Sequence, residues 1–251
     1  MSLQLRVAQG CGPTSRILAG LLRAEGVEVN DNSPNIVSWG VAVRGEHVLN
    51  GNAGRYDKLR QQLRLREAGV ACLDCFERVP SQQEFYPLIA RRLHHVAGRD
   101  IRVCLQPEDA EHARRLGADF FTKFIPRETE FRVWIYRRRH LGTYQKILTR
   151  PERYRSFGCN YHNGWAFRLV QSESVPRNVV ELAASAVDAL GLDFGAADIL
   201  IPKAGGGLVL EVNTAPGVEG DGRQVIQALA RKIANWHNRG FLRRNGAGEN
   251  A

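Results

Sequence analysis

Two strongly apolar stretches, Ala197–Ile201 and Leu208–Asn213, are separated only by the turn-forming run Lys203–Gly207, and the second ends in polar residues. Such a pattern folds back on itself as a hairpin. Successive side chains of a strand face opposite ways, so Leu208, Leu210 and Val212 are expected on a core face and Val209, Glu211 and Asn213 on the other. Asp198, on the first arm, would then lie across the hairpin from Glu211 and Asn213. Two carboxylates and an amide are hard oxygen donors. Mg²⁺ prefers such a set and completes its shell with water and phosphate. On spacing alone an equal alternative stands: a strand that ends at the surface with Glu211 and Asn213 solvated.

The chain has 251 residues, enough for one large domain or two small ones. Its 43% hydrophobic and 24% charged content is that of a soluble globular protein. No apolar run approaches the about 20 residues of a membrane span. The opening MSLQLRVAQG lacks the layout of a signal peptide, so a cytoplasmic protein is expected. Cys11, Cys72, Cys75, Cys104 and Cys159 are odd in number and scattered, which does not suggest a disulfide framework. Cys72-x-x-Cys75 has a zinc or redox spacing, but no second pair follows it, and half-buried loop cysteines are expected. The net charge of +9 favours anionic partners: nucleotides, acidic peptides or nucleic acid. Its densest runs, Arg137–Arg139 and Arg243–Arg244, read as a turn and a tail.

Along the chain, Leu3, Leu5 and Val7 alternate as a strand. Thr14 is placed to cap a helix bearing Ile17, Leu18, Leu21 and Leu22, ended by Gly26, and Val27–Val29 resumes a strand. This is a βαβ opening with a parallel sheet. Gly10-x-Gly12 lacks the third glycine of a dinucleotide fingerprint. A strand is expected over 35–43, a helix over 54–68, and a connector over 70–83. Farther on, strands are expected at 101–105, 120–125, 130–136 and 142–148, the last three successive and antiparallel. Helices are expected at 107–116, 176–190 and 224–236.

The segment LEVNTAPG resembles the metal-binding signature of the ATP-grasp superfamily, in which an Asp on the preceding strand and a Glu-x-Asn hold Mg²⁺ against the ATP phosphates. Asp198, Glu211 and Asn213 match that motif residue by residue. The segment Thr122-Lys123-Phe124-Ile125-Pro126 … Glu130 is similar to the superfamily's hinge. The resemblance implies that Lys123, Phe124 and Ile125 meet the adenine through their backbones and that Glu130 meets the ribose. It also implies that Lys58 and Arg91 hold phosphates, Arg91 standing where a lysine is usual. Arg92–Arg99 takes the place of the flap and is poorer in glycine than usual. Arg132, Lys146 and Asn160 become candidate catalytic residues. Asn160 lies in an Asn-x-His-x-Gly stretch loosely similar to that of peptide-forming ligases.

The resemblance implies an α+β protein, with a small α/β domain over 1–80, an ATP-grasp domain of antiparallel sheets and helices over 81–240, and a loose tail over 241–251. The PLIARRLHHVAGRDI, TEFRVWIY and GLDFGAADIL segments look most like the compact ATP-grasp proteins of tailed phages and prophages. The implied activity is a carboxylate–amine ligase using ATP with Mg²⁺ or Mn²⁺ and acting through an acyl phosphate on a small-molecule or peptide carboxylate and an amine. Two other readings are a nucleic-acid-binding protein on the same scaffold, prompted by the charge, and an ATP-dependent kinase. The intact ligand triplet disfavours the first.

Overall fold

In the computed structural model, which describes residues 2–93, 101–153, 163–217 and 223–245 with side chains up to Arg239, the chain opens as β1 (Ser2–Val7), α1 (Gly12–Ala24) and β2 (Glu28–Val29). α1 begins at Gly12, before Thr14. Pro13 occupies its first turn, where a missing N–H leaves nothing unsatisfied, and no side chain caps it. β3 (Ile36–Trp39) and β4 (Val48–Leu49) complete a parallel sheet ordered β2-β1-β3-β4. α2 (Lys58–Glu67) is capped by Asp57, whose carboxylate accepts from the Arg60 N–H at 2.8 Å.

The presumed connector contributes a short strand, β5 (Cys75–Phe76). With β6 (Leu88–Arg91), β7 (Arg102–Cys104) and β8 (Phe120–Lys123) it makes an antiparallel sheet ordered β5-β8-β6-β7. The helix α3 (Pro107–Arg115) packs on this sheet through Ala110 and Ala113, over Leu88, Ala90 and Phe121.

A third, five-stranded sheet is ordered β11-β10-β9-β12-β13, antiparallel throughout. Its strands are β9 (Arg127–Tyr136), β10 (Arg139–Leu148), β11 (Trp165–Val170), β12 (Phe194–Pro202) and β13 (Leu208–Asn213). The β9–β10 turn uses left-handed backbone at Arg137 and Arg138, as the arginine run suggested. β8 and β9 do not pair, contrary to the expected succession of antiparallel strands. Pro126 lies between them and cannot donate to a ladder, and the chain changes sheets there.

Two helices cover the faces of this sheet. α4 (Arg177–Ala189) lays Val179, Ala183, Ala186 and Val187 against Val133, Ile135, Ala197, Ile199, Val209 and Val212. α5 (Arg223–Asn245), which continues well past Trp236, packs Ile226, Leu229 and Ile233 between α1 and the opposite face, at Trp134, Tyr136, Tyr144 and Phe194. One core therefore joins the parallel sheet to the five-stranded sheet.

The hairpin departs from simple alternation. Asp198 pairs with Glu211 but Ile199 pairs with Val209, so Leu210 is an extra, bulged residue. Val209 and Val212 face the α4 core, in place of the Leu208, Leu210 and Val212 set read from the sequence.

The parallel sheet meets the loop after β13 at Gly40, which has φ 79°. A Cβ there would lie 2.8 Å from that of Ala215 and 3.2 Å from that of Ala8. Gly40→Ala is therefore predicted to destabilise the fold by about 1–3 kcal/mol, from forced left-handed backbone and crowding together. Urea denaturation measures it; an unchanged midpoint would mean that this junction yields freely.

Candidate active site

One face of the five-stranded sheet changes character along its strands. On β9 every second residue reads Tyr136, Trp134, Arg132, Glu130; on β12, Phe194, Ala196, Asp198; on β10, Tyr144, Lys146. The aromatic ends lie under α5. The charged ends lie beyond it, yet Asp198, Glu130 and Lys146 are only 2%, 3% and 7% exposed. Charges buried to this degree persist only when paired.

They are paired closely. Arg132 grips Asp198 with both arms of its guanidinium, Nε to Oδ1 at 2.7 Å and Nη2 to Oδ2 at 2.9 Å. Lys146 Nζ donates to Asp198 Oδ2 at 2.8 Å and also to Glu130 Oε1. Glu130 Oε2 accepts from Arg127 Nη1 at 3.2 Å. Phe167 on β11 underlies the cluster, its ring centroid 4.6 Å from the Arg132 guanidinium carbon and 5.6 Å from Lys146 Nζ. The Asp198 register partners are Arg132 on one side and Glu211 on the other, so β9, β12 and β13 place these groups in a row. Glu211 Oε2 pairs with Lys58 Nζ at 2.8 Å.

Burial alone would raise the Asp198 carboxyl, but Arg132 and then Lys146 outweigh it and hold the group well below the usual carboxylate range. Burial would likewise raise Glu211, and Lys58 brings it below its ordinary value. Lys146 would be lowered by burial; Asp198 and Glu130 keep it above the normal lysine value. Both carboxylates are thus ionised at neutral pH. Asn213 follows on the same face, and its buried Nδ2 has no partner among the described residues. The Asn213 Oδ1 is a neutral oxygen donor, and with two ionised carboxylates on the same face it makes a donor set that fits a hard divalent cation. Among the described residues no group of three His, Cys, Asp or Glu side chains is arranged for a metal.

Arg91 reaches the same region from the other sheet. Its Nε donates to Thr122 Oγ1 at 3.1 Å. Burial pulls its guanidinium below the ordinary value, against the fields of Glu211 and Glu130. Lys58, Arg91, Arg127, Arg132 and Lys146 are thus linked electrostatically to Glu130, Asp198 and Glu211, five cations to three carboxylates. A cluster with surplus positive charge suits a polyanion, more so with a divalent cation added.

The hinge residues end β8. The Lys123 N–H donates to the Asp74 carbonyl at 2.9 Å and the Phe124 N–H to the Pro87 carbonyl at 3.0 Å. The Lys123 ammonium turns to the Glu84 carbonyl at 2.8 Å. The Ile125 N–H has no backbone partner among the described residues. Asn160 and residues 94–99 of the expected flap lie outside the described residues.

Cys75 is buried and Cys72 half-buried; both are free, and burial raises both thiols, which opposes a nucleophilic or metal-binding role. Gln61, Gln62, Arg127 and Phe167 were not foreseen. The glutamines stand three and four positions after Lys58, so helical spacing would have placed them on its face. Phe167 carried no signal in the sequence.

No family model matches the chain. A protein of Enterobacter sp. (strain 638) described as a "Probable alpha-L-glutamate ligase" is 36% identical over 83 residues, which span 33% of this chain and only 26% of that protein. Among solved structures, the ATP-grasp ligase PsnB complexed with its minimal precursor aligns over 94% of this chain and 99% of its own, at 14% identity and a TM-score of 0.70. The macrocyclase MdnC from Microcystis aeruginosa MRC, bound with precursor peptide MdnA, aligns over 94% and 100% at 12% identity and a TM-score of 0.66. The D-alanine–D-alanine ligase of Bacillus anthracis aligns over 94% and 99% at 11% identity and a TM-score of 0.65. The chain has the ATP-grasp fold.

Asp198→Asn leaves Arg132 and Lys146 buried without their counter-charge. A loss of about 3–5 kcal/mol at neutral pH is predicted from urea denaturation. Because the folded carboxyl is depressed, its contribution is present above the unfolded pKa of about 3.9 and fades as pH falls below it. The gap between wild type and variant should narrow in acid; a gap independent of pH would contradict the ionised pairing.

Proposed function

We propose that this chain is an ATP-dependent carboxylate–amine ligase that takes Mg²⁺ at Asp198, Glu211 and Asn213 and acts on an amino acid or peptide through an acyl phosphate. The observation that carries the reading is the register of the β12–β13 hairpin, which sets Asp198 opposite Glu211 with Asn213 two residues on, beside the cations Arg132, Lys146 and Lys58. The ATP-grasp fold supports it. So does the short similarity to a protein described as a "Probable alpha-L-glutamate ligase", and so does the structure of PsnB complexed with minimal precursor, Mg and ADP.

Mg²⁺ in this site would neutralise and orient the β- and γ-phosphates. The protein's own groups do the rest by position and charge, as phosphoryl transfer requires. Lys58, from α2, and Arg91, from β6, approach from outside the five-stranded sheet and are suited to the phosphates, Arg91 with a planar fork that stays charged. Lys146 bridges Glu130 and Asp198 and offers its positive charge to the γ-phosphate as charge shifts during transfer. Arg132 holds Asp198 in its ionised form. Glu130, steadied by Lys146 and Arg127, keeps lone pairs for the ribose hydroxyls. The Ile125 N–H is left for the adenine edge. Asn160 completes the proposed set. The substrate carboxylate attacks the γ-phosphorus and ADP leaves; a neutral amine then attacks the acyl carbon, phosphate leaves and carries off the amine's proton, so no cysteine or serine nucleophile is needed.

No helix among the described residues is long and apolar enough to cross a membrane. Free thiols at Cys11, Cys72, Cys75 and Cys104 and the use of ATP suit the cytoplasm.

Glu211→Ala is predicted to lower ATP turnover by at least about 100-fold while circular dichroism stays that of the wild type, since Glu211 pairs with a partly exposed lysine. A coupled ADP-release screen against amino-acid and peptide pools, with mass spectrometry of the products, measures both turnover and its outcome. The expected product is a new amide with free phosphate. A stable phosphorylated product, or a Glu211→Ala variant with full turnover, would refute the proposal.

A further inference from the structure

Among the described residues β13 is the outermost strand of its sheet, and its outward backbone groups have no strand there to pair with. Side chains of α2 meet them instead. Gln61 faces Val212 as a strand would: its Oε1 accepts from the Val212 N–H at 3.0 Å and its Nε2 donates to the Val212 carbonyl at 3.3 Å. Gln62 Nε2 donates to the carbonyl of the bulged residue Leu210 at 2.7 Å and to that of Val209 at 3.4 Å, while its Oε1 accepts from the Leu73 N–H at 3.1 Å. The Val209 N–H donates to the Ala71 carbonyl at 3.0 Å. Both glutamines are buried.

These bonds fall on either side of Glu211. Leu208, Val209 and Leu210 are all apolar, so hydrophobic patterning does not decide which of them faces the core. With Val209 anchored opposite Ile199 and no bulge, Leu210 would stand opposite Asp198 and Glu211 would turn to the α4 face. The bulge puts Glu211 there instead. Gln62 holds the carbonyl of the bulged residue, and Gln61 holds both polar groups of Val212, the residue between Glu211 and Asn213. The peptide planes that aim those two side chains are thereby fixed. Lys58, on the same face of α2, pairs with the Glu211 carboxylate itself.

The geometry assigns Gln61 and Gln62 as positioning residues: their side-chain amides act as a surrogate strand that keeps the Leu210 bulge in place and Glu211 and Asn213 aimed at Asp198. The assignment rests on the metal–nucleotide reading of the site. Neither amide touches the cation or the nucleotide; each acts through the β13 backbone.

The test is Mn²⁺ binding to the whole protein in the presence of ADP, followed by electron paramagnetic resonance, with urea midpoints measured in parallel. Gln61→Met and Gln62→Met keep side-chain length and remove the tether; each is expected to weaken Mn²⁺ binding by about tenfold or more. Asn50→Ala is the control. It cuts a buried tether of the same kind on β12, where Asn50 Oδ1 accepts from Asp193 N–H at 3.0 Å and Phe194 N–H at 3.2 Å, away from the ligands. It should keep Mn²⁺ affinity within about twofold even where its urea midpoint falls as far, because the affinity change expected of a ligand's support does not follow from lost stability alone. Methionine variants that bind as the wild type does, or a control that loses as much affinity as they do, would overturn the assignment. If a methionine variant does not fold, Gln61→Glu and Gln62→Glu take its place: they retain the acceptor and lose the donor, and unweakened binding by them overturns it equally. A wild type that binds no Mn²⁺ with ADP fails the functional reading itself, and that result is read before any variant is made.

Discussion

Asp198 sits at the centre of the molecule's chemistry because it is an ionised carboxylate almost wholly out of water. Such a group is tolerable only with opposite charge in contact, and here a two-armed guanidinium and an ammonium supply it. The pairing fixes three adjacent strands in register, since Arg132 comes from β9, Lys146 from β10 and Asp198 from β12. Replacing the cluster with apolar residues would be compatible with a stable sheet. A buried charge cluster on half of a face whose other half is aromatic is the pattern of a functional site more than of a packed core.

The rest of the fold brings further groups to that row. α5 and α1 seal the aromatic half of the sheet face, which leaves the charged half to look across at the smaller antiparallel sheet and at Arg91. α2 closes the outer edge of β13 and adds Lys58. Three separately built layers thus converge on one cleft, and each contributes cations from a different direction. Convergence of this kind matches a ligand whose charge is spread along its length, as in a nucleoside triphosphate.

Much of this was legible in the sequence, for identifiable reasons. The βαβ opening, the amphipathic α4 and the two arms of the β12–β13 hairpin announce themselves by periodicity, which is a local signal. That Asp198 stands across from Glu211 was readable because both lie within one hairpin. What escaped depends on contacts distant in sequence or on backbone irregularity. The bulge at Leu210 is invisible in a run of three apolar residues. The parting of β8 from β9 hung on Pro126 and on tertiary pairing. The Lys146 bridge between Glu130 and Asp198 needed the order of the strands, and Phe167 had nothing to distinguish it from any core aromatic.

The most direct test of the account is a crystal structure of the protein with Mg²⁺ and a non-hydrolysable ATP analogue. The account predicts an ion with oxygen atoms of Asp198, Glu211 and Asn213 at about 2.0–2.1 Å, and a triphosphate lying between the two antiparallel sheets beside Lys58, Arg91 and Lys146. A nucleotide bound elsewhere, or one bound in that cleft with none of the three side chains on the ion, would contradict it.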